Sequence, residues 1–317
     1  MAKAVEIPVY LFTGFLEGGK TRFIRETLED KKFNAGEHTL LVLCEEGEEE
    51  YDLSHPLMKN VHILPIESEE ELTTAKLGEW QKIHRVDRVV IEYNGMWQLQ
   101  RLYEQMPQGW MIYQEVMIAD YNTFLSYNTN MRSLMVDKLT SCEMVLLNRA
   151  PVGADKMEIH KVVRGVSRRT EIGYDYVDGN FDYDEIEDPL PFDIEAPIIE
   201  IADADFAVWY RDLTEEMEKY QGKTVRFKGR VVTKHRSLKN CFVCGRHVMT
   251  CCVEDIQFAG LLTLCDADKM PENGKWYTMR LSVAYKWHKL YGRKGPVLTL
   301  QNIEPAEAPA QPVATFY

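Results

Sequence analysis

The chain has 317 residues, of which 45% are hydrophobic and 27% are charged, and its net charge is −13. This length fits two domains better than one, and the composition is typical of a globular protein rather than a disordered or fibrous one. No apolar run approaches the length of about 18 residues that spans a bilayer, and the N-terminus shows no signal-peptide cleavage pattern. We therefore expect a cytoplasmic protein without membrane insertion.

The charge is unevenly divided along the chain. Residues 1–200 contain 20 Lys and Arg against 37 Asp and Glu, and residues 201–317 contain 17 against 13, so their net charges are −17 and +4. The acidic, proline-punctuated stretch DGNFDYDEIEDPLPFDIEAP lies near this break, which indicates a domain boundary. The predicted parts are a first domain over 1–185, an acidic connector over 186–200, a second domain over 201–305 and a flexible tail over 306–317.

Strand-like and helix-like segments alternate through the first domain. The first apolar run, VEIPVYLF, is typical of a strand that is buried on both faces. After a glycine-rich turn, KTRFIRETLEDKKF places Phe23, Ile24 and Leu28 on one helical face. Further strand-like runs are HTLLVLC, NVHILPI, DRVVIEY, EVMIADY and CEMVLLN. The alternation predicts an α/β fold with a doubly wound, mostly parallel sheet.

The turn after the first strand carries a phosphate-binding pattern. Gly14, Gly19, Lys20 and Thr21 satisfy G-x-x-x-x-G-K-[ST] between a buried strand and a helix, which is the context that this pattern requires. Glycines let backbone N–H groups surround phosphate oxygens, Lys20 reaches the outer phosphates, and Thr21 offers a hydroxyl to Mg²⁺. The predicted nucleotide-binding residues of this P-loop are Gly14, Phe15, Leu16, Glu17, Gly18, Gly19, Lys20, Thr21 and Arg22.

The P-loop and three later stretches resemble the CobW-like GTPases, a P-loop family associated with metal insertion and metal allocation. YLFTGFLEGGKT is similar to the family's GFLGxGKT, and CEEGEEEYD is similar to N-E-x-G-x-x-x-x-D. IEYNG is similar to I-E-x-x-G, and NRAP stands where the family has its base-reading N-K-x-D. The resemblance covers roughly residues 5–180. Besides the P-loop it aligns Glu45, Gly47, Asp52, Glu92, Gly95 and Asn148 to Pro151.

This resemblance implies a nucleoside triphosphate hydrolase that uses GTP, or ATP, with Mg²⁺ as cofactor. It also implies a partner, either a protein client or a recipient of metal. Taken without the family, the acidic run from Glu45 to Glu50 is more typical of a solvated loop, whereas its register with the P-loop and IEYNG favours a role in the site. The implied roles are catalysis for Lys20, Thr21, Glu92 and Gly95, contact with the base for Asn148 and Arg149, and Mg²⁺ binding for Thr21 with Glu45 or Glu92.

Two positions depart from the family pattern. Pro151 stands where the Asp of N-K-x-D accepts hydrogen bonds from guanine. Because each buried donor left unpaired costs about 1–3 kcal/mol, this change predicts a relaxed or altered base preference. The family's C-x-C-C metal site, which lies between the acidic loop and I-E-x-x-G, is absent, since no cysteine occurs from Glu45 to Glu92.

The second domain is predicted to be a small barrel that follows a helix. DADFAVWYRDLTEEMEKYQGK predicts one amphipathic helix that ends at Gly222. The strand-like runs after it are TVRFKGRVV, RHVMTCCVE, FAGLLTLC, KWYTMRLSVAYKW and PVLTLQNIE. Short strands in this number, with turn signals between them, predict an OB-like β-barrel.

Four of the seven cysteines lie in CFVCGRHVMTCC. C-x-x-C spacing lets two thiolates reach one ion from a tight turn, and alternation in a following strand gives Cys241, Cys244, His247 and Cys251 as the best Zn²⁺ set. Cys252 is then an alternative ligand or a core residue. Core packing and a redox dithiol also fit these cysteines. The pattern R-x-x-x-x-C-C-x-x-D resembles the soluble C-terminal domain of YcgQ-type bacterial membrane proteins and implies no activity.

The segment AYKWHKLYGRKGP interleaves aromatic residues with Lys286, Lys289, Arg293 and Lys294. Rings beside cations suit single-stranded nucleic acid, but they also fit a soluble surface hairpin, and the charge of −17 on the first domain argues against a nucleic-acid partner. The sequence thus predicts a metal-handling GTPase whose second domain binds zinc. The alternative is a nucleotide-dependent switch whose barrel binds single-stranded nucleic acid or a protein.

Overall fold

In the computed structural model, the chain divides into two compact units, Met1–Ile186 and Glu187–Tyr317. The structure describes residues 6–45, 47, 51–233, 240–250 and 256–316, with residue 268 by its backbone only. Within these ranges, no helix has the length and apolar character needed to cross a membrane. Each unit has a sheet and a hydrophobic core of its own.

One sheet forms the centre of the first unit. Its strands are β1 (Ile7–Thr13), β2 (Thr39–Leu43), β3 (Val61–Pro65), β4 (Arg88–Glu92), β5 (Trp110–Asp120), β6 (Met144–Ala150), β7 (Glu171–Tyr176) and β8 (Phe181–Tyr183). They lie in the order β3-β2-β4-β1-β5-β6-β7-β8. Neighbouring strands are parallel except for β7 and β8, which are antiparallel.

Apolar clusters lie on both faces of this sheet. Val9 and Leu11 of β1 belong to one cluster and Phe12 to another, and this burial on two faces explains the nearly continuous apolar run of β1. The predicted doubly wound α/β fold is confirmed. The helices of this unit are α1 (Lys20–Leu28), α2 (Thr74–His84), α3 (Leu99–Gln105), α4 (Tyr121–Asn130), α5 (Arg132–Ser141) and α6 (Met157–Val166).

The second unit contains a closed barrel. Its elements are β9 (Ile199–Glu200), α7 (Phe206–Glu215), β10 (Thr224–Val232), β11 (Cys241–Val248), β12 (Gln257–Leu264), β13 (Trp276–His288), β14 (Arg293–Ala306) and β15 (Val313–Ala314). The strands β10-β11-β12-β14-β13 follow one another around the barrel, and β13 pairs again with β10. Numbered from β10, this order is 1-2-3-5-4-1, with only the pair β12 and β14 parallel. It confirms the predicted OB-like barrel.

The helix before the barrel is shorter than predicted. After α7 ends at Glu215, the chain forms a 3₁₀ turn at Met217–Tyr220 instead of continuing as one helix to Gly222. The buried Asp212 carboxylate accepts hydrogen bonds from Lys219 Nζ and the Tyr220 hydroxyl, both at 2.5 Å. These bonds draw the chain back toward α7 and end the regular helix.

The predicted connector and tail are both packed against the barrel. Phe192 and Ile194 contact the core of the second unit, and Ile199 is fully buried beside Val225 of β10. At the other end of the chain, β15 pairs with β11 and Ala314 is buried. The tail therefore differs from the predicted flexible segment, and the apolar side chains of both segments complete the barrel core.

Candidate nucleotide-binding site

The loop between β1 and α1 lies at the position in the sheet where the order of the strands reverses. Strands β2 to β4 lie on one side of β1, and β5 to β8 lie on the other. In open α/β sheets, ligands bind at such switch points, outside the carboxyl ends of the strands. The loop comprises residues 14–19 and leads directly into Lys20, the first residue of α1.

Glycines are required in this loop because it lies directly against neighbouring backbone. A Cβ atom at Gly14 would be 2.0 Å from the Ile118 carbonyl oxygen, and one at Gly18 would be 2.8 Å from the same atom. Gly19 has a φ of 99°, and a Cβ there would be 2.2 Å from Asn148 Nδ2. The tight, left-handed path leaves the first N–H groups of α1 directed into the loop, as a phosphate site requires.

Lys20 lies inside the loop, where only 3% of its surface is exposed. Its Nζ donates hydrogen bonds to the carbonyl oxygens of Gly14 and Phe15 at 2.9 Å each and to Glu45 Oε2 at 2.5 Å. Because Glu45 is bonded to Lys20 rather than to Thr21, the structure does not join the predicted Mg²⁺ pair. A phosphate group entering the loop would compete with this carboxylate for the lysine.

Thr21 is instead joined to Glu92, the last residue of β4. The Thr21 hydroxyl donates to Glu92 Oε1 at 2.7 Å, and the Tyr51 hydroxyl donates to Glu92 Oε2 at 2.5 Å. Burial raises the pKa of Glu92, while these two donors act against that rise. A hydroxyl beside a carboxylate is a ligand set that suits Mg²⁺, so Thr21 and Glu92 fit the predicted cofactor.

The segment after β4 packs against the P-loop. A Cβ atom at Gly95 would be 2.7 Å from both the Gly14 carbonyl oxygen and the Phe15 Cα, so only glycine allows this approach. Further along, α5 holds the same segment, because Lys138 Nζ donates to the Trp97 carbonyl oxygen at 2.5 Å and to Asp137 Oδ2 at 2.6 Å. The segment therefore packs against the P-loop at Gly95 and is hydrogen-bonded to α5 at Trp97.

Asn148 and Arg149 bring the end of β6 to the same loop. The Asn148 side chain donates to the Gly18 carbonyl oxygen at 3.3 Å. Arg149 has a φ of 56° and donates through its guanidinium to the Glu17 carbonyl oxygen at 2.9 Å and to Asp120 Oδ2 at 2.6 Å. Pro151 is exposed just beyond. The structure therefore places the predicted base-contacting residues beside the P-loop.

A single pocket collects most of the predicted site. Other predicted residues do not line it: Gly14, Phe15 and Gly18 belong to the loop, and Asn148 and Gly95 pack against it. Asp52 is exposed, and its carboxylate accepts hydrogen bonds from the Ser54 amide and hydroxyl. Gly47 contributes to the pocket through its backbone. The residues that line this pocket are Leu16, Glu17, Gly19, Lys20, Thr21, Arg22, Glu45, Gly47, Glu92 and Arg149.

Sequence reasoning missed two members of the site. Tyr51 bonds Glu92 from 41 residues away, and Asp120 bonds Arg149 from 29 residues away. Asp120 follows the run EVMIA directly, and a carboxylate at the carboxyl end of a central strand was a usable signal. Tyr51 carried no comparable signal, because it lies inside an acidic run.

The described residues of β11 do not bring the predicted zinc ligands Cys241, Cys244 and His247 together. Cys241 and Cys244 were expected in a turn, but both lie in the strand, on opposite faces: Cys244 is in the barrel core, whereas Cys241 packs in a separate cluster with Leu262 and Val297. Burial raises the pKa of the Cys244 thiol to about 12, as expected for a cysteine in an apolar core. His247 packs edge-on against Phe258.

The other two predicted zinc ligands, Cys251 and Cys252, lie outside the described residues. Within the described residues, no group of three or more His, Cys, Asp or Glu side chains is arranged to hold a metal ion. The described part of β11 therefore supports the core-packing alternative for Cys244.

The sheet, the glycine-lined loop at its switch point and the buried Lys20 define a P-loop nucleotide-binding protein. Residues 8–173, more than half of the chain, match the family of the CobW/HypB/UreG nucleotide-binding domain. The chain belongs to that family, which confirms the resemblance found in the sequence. Residues 182–314 match the DUF1980 C-terminal domain.

The chain also resembles one solved structure, the crystal structure of a Zn(II)-bound triple mutant of the YjiA GTPase. The two share 16% sequence identity with a TM-score of 0.43, and the match covers 84% of this chain and 92% of that chain. No curated protein matches the chain.

Proposed function

We propose that this protein binds GTP together with Mg²⁺ in the P-loop pocket and hydrolyses the nucleotide. The observation that carries this proposal is the buried Lys20 amine, held among loop carbonyl oxygens beside Thr21 and Glu92. Membership of the CobW/HypB/UreG nucleotide-binding family supports it. A buried ammonium in a glycine-containing loop at the N-terminus of a helix is a site for a polyphosphate rather than for a neutral ligand.

Each residue has a distinct part in the proposed reaction. Lys20 would leave Glu45 and bind the outer phosphates, while Thr21 and Glu92 would hold Mg²⁺, which would supply positive charge to the phosphates. Gly95 brings the segment after β4 next to the loop, where its backbone can respond to the terminal phosphate. The described pocket contains no candidate for a strong general base other than carboxylates that are already engaged, so we expect slow turnover without a partner.

Substitution of Lys20 by alanine tests the binding step. We expect Lys20→Ala to weaken the affinity for a fluorescent GTP analogue at least tenfold, since a hydrogen bond to a charged group contributes about 1.5–3 kcal/mol. The control is Lys82→Ala, which removes an exposed lysine of α2 and leaves the pocket intact. Equal affinity of the Lys20 variant and the parent would exclude this site.

The base preference is a second part of the proposal. Because Pro151 replaces the carboxylate that reads guanine, we expect the affinities for GTP and ATP to differ by no more than about tenfold, one unpaired contact being worth about 1–3 kcal/mol. Calorimetric titration of the full chain with each nucleotide and Mg²⁺ measures the ratio. A hundredfold preference for GTP would contradict the relaxed base choice and would point to another residue that reads guanine.

We also propose that nucleotide turnover serves metal handling, the work with which the CobW-like family is associated. Family membership supports this step. Phosphate release from GTP, measured with and without Zn²⁺ at fixed Mg²⁺, tests it. Turnover that is independent of zinc would favour a nucleotide switch without a metal cargo.

A further inference from the structure

The β13–β14 hairpin occupies the position that oligonucleotide-binding barrels use for contact. In the order 1-2-3-5-4-1, β13 and β14 are the fourth and fifth strands, and they are joined by the loop from Lys289 to Gly292. In OB folds, the face of strands 2 and 3 binds oligonucleotides and oligosaccharides together with the 1–2 loop and the 4–5 loop, and the loop of this hairpin is the 4–5 loop. The chemistry of the hairpin decides which ligand fits.

Positive charge is concentrated on this hairpin. Residues 273–303 contain six Lys and Arg and no Asp or Glu, whereas residues 187–317 as a whole contain 17 Lys and Arg against 18 Asp and Glu. Several other described cations of this unit pair with carboxylates, as Lys228 does with Asp203 at 2.9 Å. Across the part of the chain that the structure describes, no ion pair involves the exposed cations near the turn: Lys286, Lys289, Arg293 and Lys294.

An exposed aromatic ring lies among these cations. Trp287 is 62% exposed, although indole is among the largest apolar side chains. It lies directly opposite Lys294 in the strand register, so both side chains project from the same face of the hairpin. A ring beside an unpaired ammonium can stack on a base and bind the neighbouring phosphate, which neither a sugar nor a neutral peptide would require.

The turn of the hairpin is already fixed. The Tyr291 hydroxyl donates to the Pro296 carbonyl oxygen at 2.8 Å and accepts from the Leu262 amide at 3.0 Å. The Gly292 amide donates to the His288 carbonyl oxygen at 3.1 Å. Because these bonds tie the turn to the barrel wall, the Trp287 region does not have to become ordered on binding.

We propose that the β13–β14 hairpin binds single-stranded nucleic acid, with a base stacked on Trp287 and phosphates bound by Lys294 and the cations at the turn. This inference goes beyond the proposed nucleotide hydrolysis, which uses the other unit. The charge of −17 that argued against such a partner lies in residues 1–200, outside the hairpin. Unpaired cations together with an exposed ring outweigh that argument.

Fluorescence anisotropy with the full chain and a labelled oligothymidylate of about 16 nucleotides, the upper range of one OB fold, tests the proposal. We expect Trp287→Ala to weaken binding about fivefold to a hundredfold, the loss that one base stack produces. Lys275→Ala is the control, because it removes an exposed cation at the opposite end of β13. Lys20→Ala should bind the oligonucleotide as the parent does, which separates this activity from the nucleotide site.

Salt dependence identifies the phosphate contacts. For single strands the logarithm of affinity falls by about 0.7 per contact for each tenfold rise in salt, so Lys294→Ala should reduce this slope by about 0.7 while Lys275→Ala leaves it unchanged. Binding of a duplex of the same length as tightly as the single strand would overturn the stacking role of Trp287. Binding to phosphatidylserine vesicles without binding to the oligonucleotide would overturn the proposal and assign the hairpin to a membrane surface.

Discussion

A missing methyl group at Gly95 lets the segment after β4 lie against the P-loop. We expect Gly95→Ala to lower the affinity for GTP at least about tenfold, which corresponds to about 1.4 kcal/mol, because the new Cβ would displace the Gly14 and Phe15 backbone from 2.7 Å contacts. Titration with a fluorescent GTP analogue in the presence of Mg²⁺ measures this change.

Gly78 supplies the control for that substitution. It lies within α2, and nothing lies within 4 Å of the position of its missing Cβ. Gly78→Ala should therefore leave GTP affinity unchanged and stabilise the first unit by up to about 1 kcal/mol, as alanine does in helices. If Gly95→Ala also bound GTP normally, the close packing of Gly95 would have no role in the nucleotide site.

Residues of the site could be predicted only where the pattern is local. Gly14 to Thr21 are contiguous, and their glycines and lysine indicate phosphate binding from spacing alone. Asp120 bonds Arg149 between the ends of two strands, and Tyr51, in the segment after β2, bonds Glu92 at the end of β4. Their proximity depends on strand order in the sheet, which a single sequence does not specify.

At the scale of elements, Arg246 of β11 joins the two chain segments that flank the barrel. It is 1% exposed, and its guanidinium donates to the carbonyl oxygens of Asp203 at 2.7 Å and Gln311 at 2.5 Å. We expect Arg246→Met to destabilise the second unit by about 2 kcal/mol or more, since it leaves two carbonyl groups without their donors. Urea unfolding measures the loss, and faster proteolysis near β15 should accompany it.

Arg226→Met is the matched control on the neighbouring strand. Arg226 pairs with Glu200 at 3.3 Å on the surface, where both side chains are largely exposed. Such pairs contribute at most about 1 kcal/mol, so this variant should remain near the stability of the parent. Equal stability of the two variants would mean that the Arg246 bonds do not hold β15.

The prediction for the second barrel strand failed because the strand begins earlier than expected. The second barrel strand was expected from Arg246 onward, but β11 begins at Cys241. Because side chains alternate in a strand, this earlier start separates Cys241 and Cys244 onto opposite faces. Cysteine spacing alone is equally compatible with a turn and with a strand, so the sequence could not exclude the zinc arrangement.

At the scale of the whole molecule, two separate cores imply two unfolding events. Calorimetry of the full chain should show two transitions, since each unit buries its own apolar cluster. GTP with Mg²⁺ at a hundred times its Kd should stabilise only the first unit, by about 2.7 kcal/mol. Lys20→Ala should abolish that shift, and a single transition that moves as a whole with nucleotide would show that the units unfold together.

The sequence predicted the two fold classes of the chain more completely than it predicted contacts between residues. The break in charge and the change from alternating helices and strands to short strands indicated two kinds of fold, and both the parallel sheet and the barrel are present. Phe192 lies in the predicted connector and Ala314 in the predicted flexible tail. Their burial depends on gaps in a barrel core that composition does not reveal.

The hydrogen bond from Lys138 to the Trp97 carbonyl oxygen limits how far the segment after β4 can move on hydrolysis. The Trp97 carbonyl oxygen is held by a lysine that has no exposed surface, so the segment from Asn94 to Met96 lies between β4 and a point that is fixed to α5. A large displacement of Gly95 would therefore be transmitted through Trp97 to α5. Helix α5 is therefore the first element outside the pocket that the loss of a phosphate would displace.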